Sequence, residues 1–149
     1  MGVQASAYSG RRLRDLNLTV TTALPAAGAS VTATALDTGD NTDGIIPEGT
    51  VIEISTPATP ALPSGGTITY TVLADTASTP TTVLTPSLTY VTTGTAGNGA
   101  AVSSDTVRWR IPANAGRYIS VQAACSTTAG TNTAVSFTYR LVGAGTDSN

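Results

Sequence analysis

The sequence predicts an all-β protein: an antiparallel β-sandwich of about eight strands, a jelly roll in preference to the alternative, an immunoglobulin-like Greek key. Three observations predict it. Apolar and polar residues alternate at period two in one short segment after another. Clusters of Gly, Pro, Asn, Asp and Ser separate those segments, which is turn chemistry. Threonine fills roughly a fifth of the chain, far above ordinary usage. A β-branched hydroxyl side chain suits the solvent face of a strand.

The elements follow in order. "LNLTVTT" sets Leu16, Leu18 and Val20 on one face and Asn17, Thr19 and Thr21 on the other. "SVTATAL" continues with Val31, Ala33 and Ala35, and "TVIEIST" is next. "TITYTVLA" groups Ile68, Tyr70 and Val72, and "SLTYVTT" follows it. "TVRWRI" groups Val107, Trp109 and Ile111, with Arg108 and Arg110 opposite. "YISVQAAC" groups Ile119, Val121, Ala123 and Cys125. "AVSFTYRLV" ends the series with Val135, Phe137, Tyr139 and Leu141. No stretch has a helical period with caps; a single helical turn near "TPATPAL" is the most expected. Strands that each hide one face need two packed sheets. A Cys–Trp–Cys spacing, which would favour a true immunoglobulin domain, is missing.

At 149 residues the chain is one domain, and it can bury about 70% of its unfolded surface without a disulfide or metal. Residues 1–15 read as an N-terminal arm, 16–142 as the sandwich and 143–149 as a tail. No segment approaches the ~20 apolar residues of a membrane span. The N-terminus lacks the charged-then-apolar order of a signal peptide, so synthesis and use without export are expected. "MGVQAS" fits the short myristoylation pattern, with Gly2 and Ser6 in place, but nothing else accompanies it. The sequon at Asn17 lies in an expected strand and carries no meaning without export.

Charge narrows the chemistry. Charged residues are 11% of the chain, the formal net charge is −2, and all seven basic residues are arginine. This argues against nucleic-acid binding, which draws on many phosphate neutralisations. Without histidine or lysine there is no Ser-His-Asp or Cys-His unit, no Schiff base and no P-loop lysine. Cys125, the lone cysteine, lacks an activating histidine and shares a face with apolar residues, so it reads as a small core side chain. One cysteine and no histidine leave too few zinc ligands. The loop "DTGDNTDG" carries Asp37, Asp40 and Asp43, but aligning Gly44 to the invariant glycine of an EF-hand puts Thr50 where the bidentate glutamate belongs. Glu48 and Glu53, five apart, point to opposite faces of a strand and make a poor glycosidase pair; nothing selects Asp75 or Asp105 as a partner. "GTAGNG" has no following helix to present to a phosphate. No catalytic, cofactor-binding or metal-binding residue is assigned.

Arginine is left as the candidate for recognition. "RRLR" places Arg11, Arg12 and Arg14 in the arm, where their forks suit carboxylates on a partner protein. The stretch "VRWRIPANAGRYISVQAACST" gathers three arginines, the only tryptophan and the only cysteine. Alternation turns Trp109 and Cys125 inward on two strands joined by "PANAG", a core hairpin, and leaves Arg108 and Arg110 outward to face a partner or a second copy.

The layout of "LNLTVTTALPAAGASV", "ISTPATPALPSGGTITYTVLAD" and "GTAGNGAAV" leading into "VRWRIPANAGRYISVQAACSTTAG" resembles the capsid cement or decoration proteins of tailed bacteriophages. The likeness runs from about Leu16 to Leu141 and rests on strands and turns, with no invariant chemical motif. It implies a β-sandwich or jelly-roll protein on the exterior of the virion, made in the host cytoplasm. It further implies a homodimer or homotrimer that clamps neighbouring subunits of the major capsid protein, with no cofactor, nucleic acid or membrane involved. A competing reading is a carbohydrate- or receptor-binding sandwich of a phage fibre or adhesin. Sugar sites are built on aromatic platforms, however, and here Trp109, Phe137 and Tyr139 face inward, leaving only Tyr8, Tyr90 and Tyr118.

Overall fold

The computed structural model describes residues 14–39, 46, 49–95 and 102–143. Arg11, Arg12, Tyr8, Asp40, Asp43 and Glu48, the "MGVQAS" pattern, most of "GTAGNG" and residues 144–149 lie outside them. Among the described residues nine strands form: β1 (Val20–Ala23), β2 (Ser30–Thr32), β3 (Leu36–Asp37), β4 (Val51–Thr56), β5 (Thr67–Asp75), β6 (Thr89–Thr93), β7 (Asp105–Arg110), β8 (Tyr118–Cys125) and β9 (Ser136–Val142). One sheet, here sheet A, has the order β1-β9-β4-β7; the other, sheet B, has β2-β8-β5-β6, with β3 also pairing β8. Every ladder is antiparallel.

Counting β2 and β3 as one interrupted strand leaves the eight strands of a jelly roll. Only β5 and β6 are consecutive and paired; every other connection crosses between the sheets. An immunoglobulin-like Greek key has consecutive paired strands within each sheet, so the alternative topology is excluded.

Alternation places the core. Ile68, Tyr70 and Val72 of β5, Ile119, Val121 and Ala123 of β8, Ile52 and Ile54 of β4, and Phe137, Tyr139 and Leu141 of β9 are all buried between the sheets. The Tyr70 ring meets Phe137 edge-on, centroids 5.5 Å apart at 70°, which joins the two sheets at their centre. Cys125 is buried, with its thiol on the Pro25 carbonyl.

Three expectations are corrected. Leu16 and Leu18 are not strand residues: Asp15 to Leu18 form a turn with Leu18 N–H on the Asp15 carbonyl, and Asn17 sits at φ 63°. Asparagine tolerates that left-handed conformation, so the strand starts only at Val20 and Leu18 is 53% exposed. "SVTATAL" is not one strand. From Thr32 to Leu36 the chain spends four steps where β8 spends three from Gln122 to Ile119. The extra residue makes a bulge and reverses the alternation, so Ala33 and Leu36 are both buried. Finally, the stretch from 107 to 127 is no hairpin. β7 is an edge of sheet A and β8 lies inside sheet B, so "PANAG" carries the chain across the sandwich.

The bulge is braced from both sheets. The Tyr139 hydroxyl lies within hydrogen-bond reach of the Thr34 and Ile119 carbonyls, and the Ser120 hydroxyl donates to the Ala33 carbonyl at 2.6 Å. The turn near "TPATPAL" is a single turn, Leu62 N–H to the Thr59 carbonyl. At that end the chain packs backbone on backbone: a Cβ on Gly94 would sit 2.0 Å from the Pro63 carbonyl oxygen.

Candidate interaction surface

The outer face of sheet A carries the largest gathering of arginines among the described residues. Register builds it. Glu53 on the central strand β4 stands directly across from Arg108 on β7 and from Arg140 on β9. Directly opposed residues on antiparallel strands point to the same side, so all three leave the core together. Arg108 Nε donates to Glu53 Oε2 at 2.6 Å, and Arg140 Nε donates to Oε1 at 2.9 Å. The carboxylate side chain is only 10% exposed, whereas Arg108 and Arg140 are 67% and 41% exposed. Burial opposes ionisation of Glu53, yet the two arginine hydrogen bonds outweigh it and hold the carboxyl below its ordinary pKa. Each oxygen of the carboxylate therefore aligns one guanidinium through its Nε and leaves its Nη atoms without a hydrogen-bond partner among the described residues.

Arg110 lies two residues beyond Arg108 on the same outward face, across from Val51, and makes no ion pair among the described residues. A depression of about 210 Å³ adjoins the row, lined by Thr19, Glu53, Ser55, Thr138, Tyr139 and Arg140. The next row across the sheet is Thr21, Thr138, Ser55 and Thr106, all hydroxyl-bearing. The face thus has two arginines on one carboxylate, a row of hydroxyls on one side, and Arg110 in a row with Val51 and Val142 on the other.

A second cluster joins the chain entry to sheet B. Arg117 grips Asp37 with two hydrogen bonds, Nε to Oδ1 at 2.8 Å and Nη2 to Oδ2 at 2.9 Å, and Arg14 Nη1 reaches Oδ2 at 3.1 Å. The Gly39 N–H also donates to Asp37, and the Asp37 N–H donates to Asp15 Oδ2. The Arg117 hydrogen bonds, against the cost of burial, lower the Asp37 pKa to about 2. Arg117 also lies over the Tyr118 ring, 5.2 Å from its centroid.

The sequence-derived arginines therefore separate. Arg108 and Arg110 share the sheet A face. Arg14, read as part of an arm, is tied to β3 by its side chain and by its N–H on the Thr38 carbonyl. Glu53, Arg140 and Arg117 were missed. Alternation along β9 puts Arg140 opposite Tyr139 and Leu141, an outward signal, but nothing in the sequence says that β7, β4 and β9 are neighbours. Tyr90, an expected surface aromatic, packs its ring beside Tyr70 and donates its hydroxyl to Asp105 at 2.7 Å; this bond raises its pKa.

Over the bulge of sheet B lies a depression of about 480 Å³, lined by residues 32–35 and 78–81, all Thr, Ser, Ala or Pro. Among the described residues no group of three His, Cys, Asp or Glu side chains is placed to hold a metal ion, and no helix is long and apolar enough to cross a membrane. Compared with family models, with curated proteins and with solved structures, the chain matches none.

Proposed function

We propose that this chain is a structural, non-catalytic virion protein that docks on the outer surface of a tailed-phage head. It stabilises contacts between subunits of the major capsid protein and acts as a homodimer or homotrimer, as the resemblance of its sequence implies. The observation that carries the reading is a jelly-roll sandwich whose one arginine-rich face stands on a hydroxyl-rich, sparsely charged surface. Rigid antiparallel sheets hold such a face in fixed geometry, and a shell repeats each contact many times, so weak individual docking sums to tight occupancy. Strands β1 and β7 end sheet A among the described residues, and such edges can add a neighbour's strand. Arg11, Arg12 and Arg14 extend the same arginine chemistry toward the N-terminus.

The test is the composition and image reconstruction of purified virions from the phage that encodes the chain. The expected result is stoichiometric protein seated between capsomers on the exterior. Virions that lack it by mass spectrometry overturn the reading. Deleting residues 1–13 is expected to lower occupancy, and unchanged occupancy removes the arm from the docking surface.

A further inference from the structure

We infer that Arg108 and Arg140, aligned by Glu53, form a pre-oriented clamp for carboxylate side chains on a partner protein. The proposal deepens the docking role above. It rests on that role for the partner being a protein, and on geometry for the clamp itself.

The geometry is that of a positioning residue with two recognition residues. Glu53 spends both oxygens on Nε atoms, one from each neighbouring strand. Each guanidinium carries five N–H donors in a plane, and only its Nε–H is engaged. What remains unpaired on each arginine among the described residues is the Nη edge, which can meet a carboxylate bidentately. A free arginine loses rotamer freedom when it binds; these two have lost much of it already. Arg110 adds a third positive charge at the edge of the row. The local charge is three arginines against one glutamate, on a chain whose net charge is −2. That asymmetry attracts an acidic surface to this face.

The occupant of the clamp is an acidic surface of a different protein, as the docking role above implies. The carboxylates described in this chain are already engaged: Asp37 and Glu53 by arginines, Asp105 by Tyr90, Asp75 by the Thr82 hydroxyl and Asp15 by the Asp37 N–H. A nucleic-acid backbone fits poorly, because a row of three arginines neutralises too few phosphates for useful affinity.

Glu53 gives the proposal a sharp test. Glu53→Gln makes the face more positive and removes the alignment. A plain basic patch then binds anions more tightly, whereas a clamp binds them more weakly. The full-length chain is titrated into fluorescently labelled poly-L-glutamate at low ionic strength and read by anisotropy, with inorganic polyphosphate in a parallel arm. Binding is expected for the wild type, with a loss of roughly tenfold in Glu53→Gln and in the Arg108→Gln/Arg140→Gln pair. The Arg108→Lys/Arg140→Lys pair keeps the charge and loses the fork, and is expected to fall with them. Thermal melts confirm which variants are folded; the lysine pair leaves the glutamate countered and serves if Glu53→Gln does not fold. No poly-L-glutamate binding by the wild type overturns the clamp. So does tighter or unchanged binding in Glu53→Gln, or full binding by the lysine pair. A Glu53→Gln loss seen with polyphosphate alone overturns the carboxylate assignment. Attachment to phage heads is read separately. Wild-type chain that fails to attach while the poly-L-glutamate results hold overturns the docking role and leaves the clamp. Attachment that persists in the glutamine pair, with no poly-L-glutamate binding, overturns the clamp and leaves the docking role.

Discussion

Two buried tyrosines should respond to the same substitution with opposite signs. Tyr139 and Tyr70 are both fully buried, and burial raises both hydroxyl pKa values. Tyr139 places its hydroxyl between the Thr34 and Ile119 carbonyls, while the Tyr70 hydroxyl has no hydrogen-bond partner among the described residues. Tyr139→Phe removes a bond worth about 1 kcal/mol net and orphans the Thr34 carbonyl at about 1–2 kcal/mol more, so a loss of roughly 2–3 kcal/mol is expected. Tyr70→Phe removes a hydroxyl that was desolvated without return, and a gain of about 1 kcal/mol is expected. For a chain of this length each kcal/mol moves Tm by roughly 3 °C, so the two variants should melt about 9–12 °C apart on either side of the wild type. Urea titrations followed by the fluorescence of Trp109 give the free energies directly. If Tyr70→Phe destabilises by as much as Tyr139→Phe, the hydroxyl accounting is wrong and both side chains act through ring packing alone.

Other consequences follow from the same geometry. The lowered pKa of Asp37 means its carboxylate stabilises the fold above the unfolded value of 3.8. That contribution, roughly 2 kcal/mol, disappears as pH falls from about 4 toward about 2. Asp37→Asn should therefore be less stable than the wild type at neutral pH and converge with it in strong acid; parallel pH curves would refute the assignment. Gly94→Ala puts a methyl 2.0 Å from a backbone oxygen that no rotamer change can clear, and a loss of about 3 kcal/mol or more is expected in urea unfolding. Burial raises the Cys125 thiol pKa, so its reaction with an aromatic disulfide reagent should be about a hundredfold slower in the folded chain than in urea. Equal rates would place the thiol at the surface.

Much of the architecture was legible because period-two alternation reports which face of a strand is buried. It located Ile68, Tyr70 and Val72, the run from Ile119 to Cys125, and Phe137, Tyr139 and Leu141. Alternation is blind to three things that mattered here. It does not see a left-handed residue such as Asn17 that ends a strand early. It does not see the extra residue in 33–35 that reverses the phase before Leu36. It does not say which sheet a strand joins, so a crossover between β7 and β8 looked like a hairpin. The arginine face suffered most from this last gap. Glu53 meets Arg108 and Arg140 across 55 and 87 positions of chain, and only the strand order brings them together. Arg108 and Arg110 were legible as outward; the carboxylate that Arg108 shares with Arg140 was not, because a glutamate between two isoleucines reads as an exposed strand residue.

The order of the strands also dictates a timetable for synthesis. Sheet A contains no ladder between strands that are consecutive in the chain: β4 waits for β7, and β1 waits for β9. In sheet B, β2, β3 and β5 all lean on β8. As the chain leaves the ribosome, the one named ladder it can close before Asp105 appears is Thr67–Thr71 against Thr89–Thr93. The remaining apolar strand faces stay uncovered until the final third of the chain emerges. Such non-local closure is slow and exposes the nascent chain to association. A sparse charge content leaves little repulsion to prevent that association, so the threonine-rich outer faces must supply the solubility of the half-made protein.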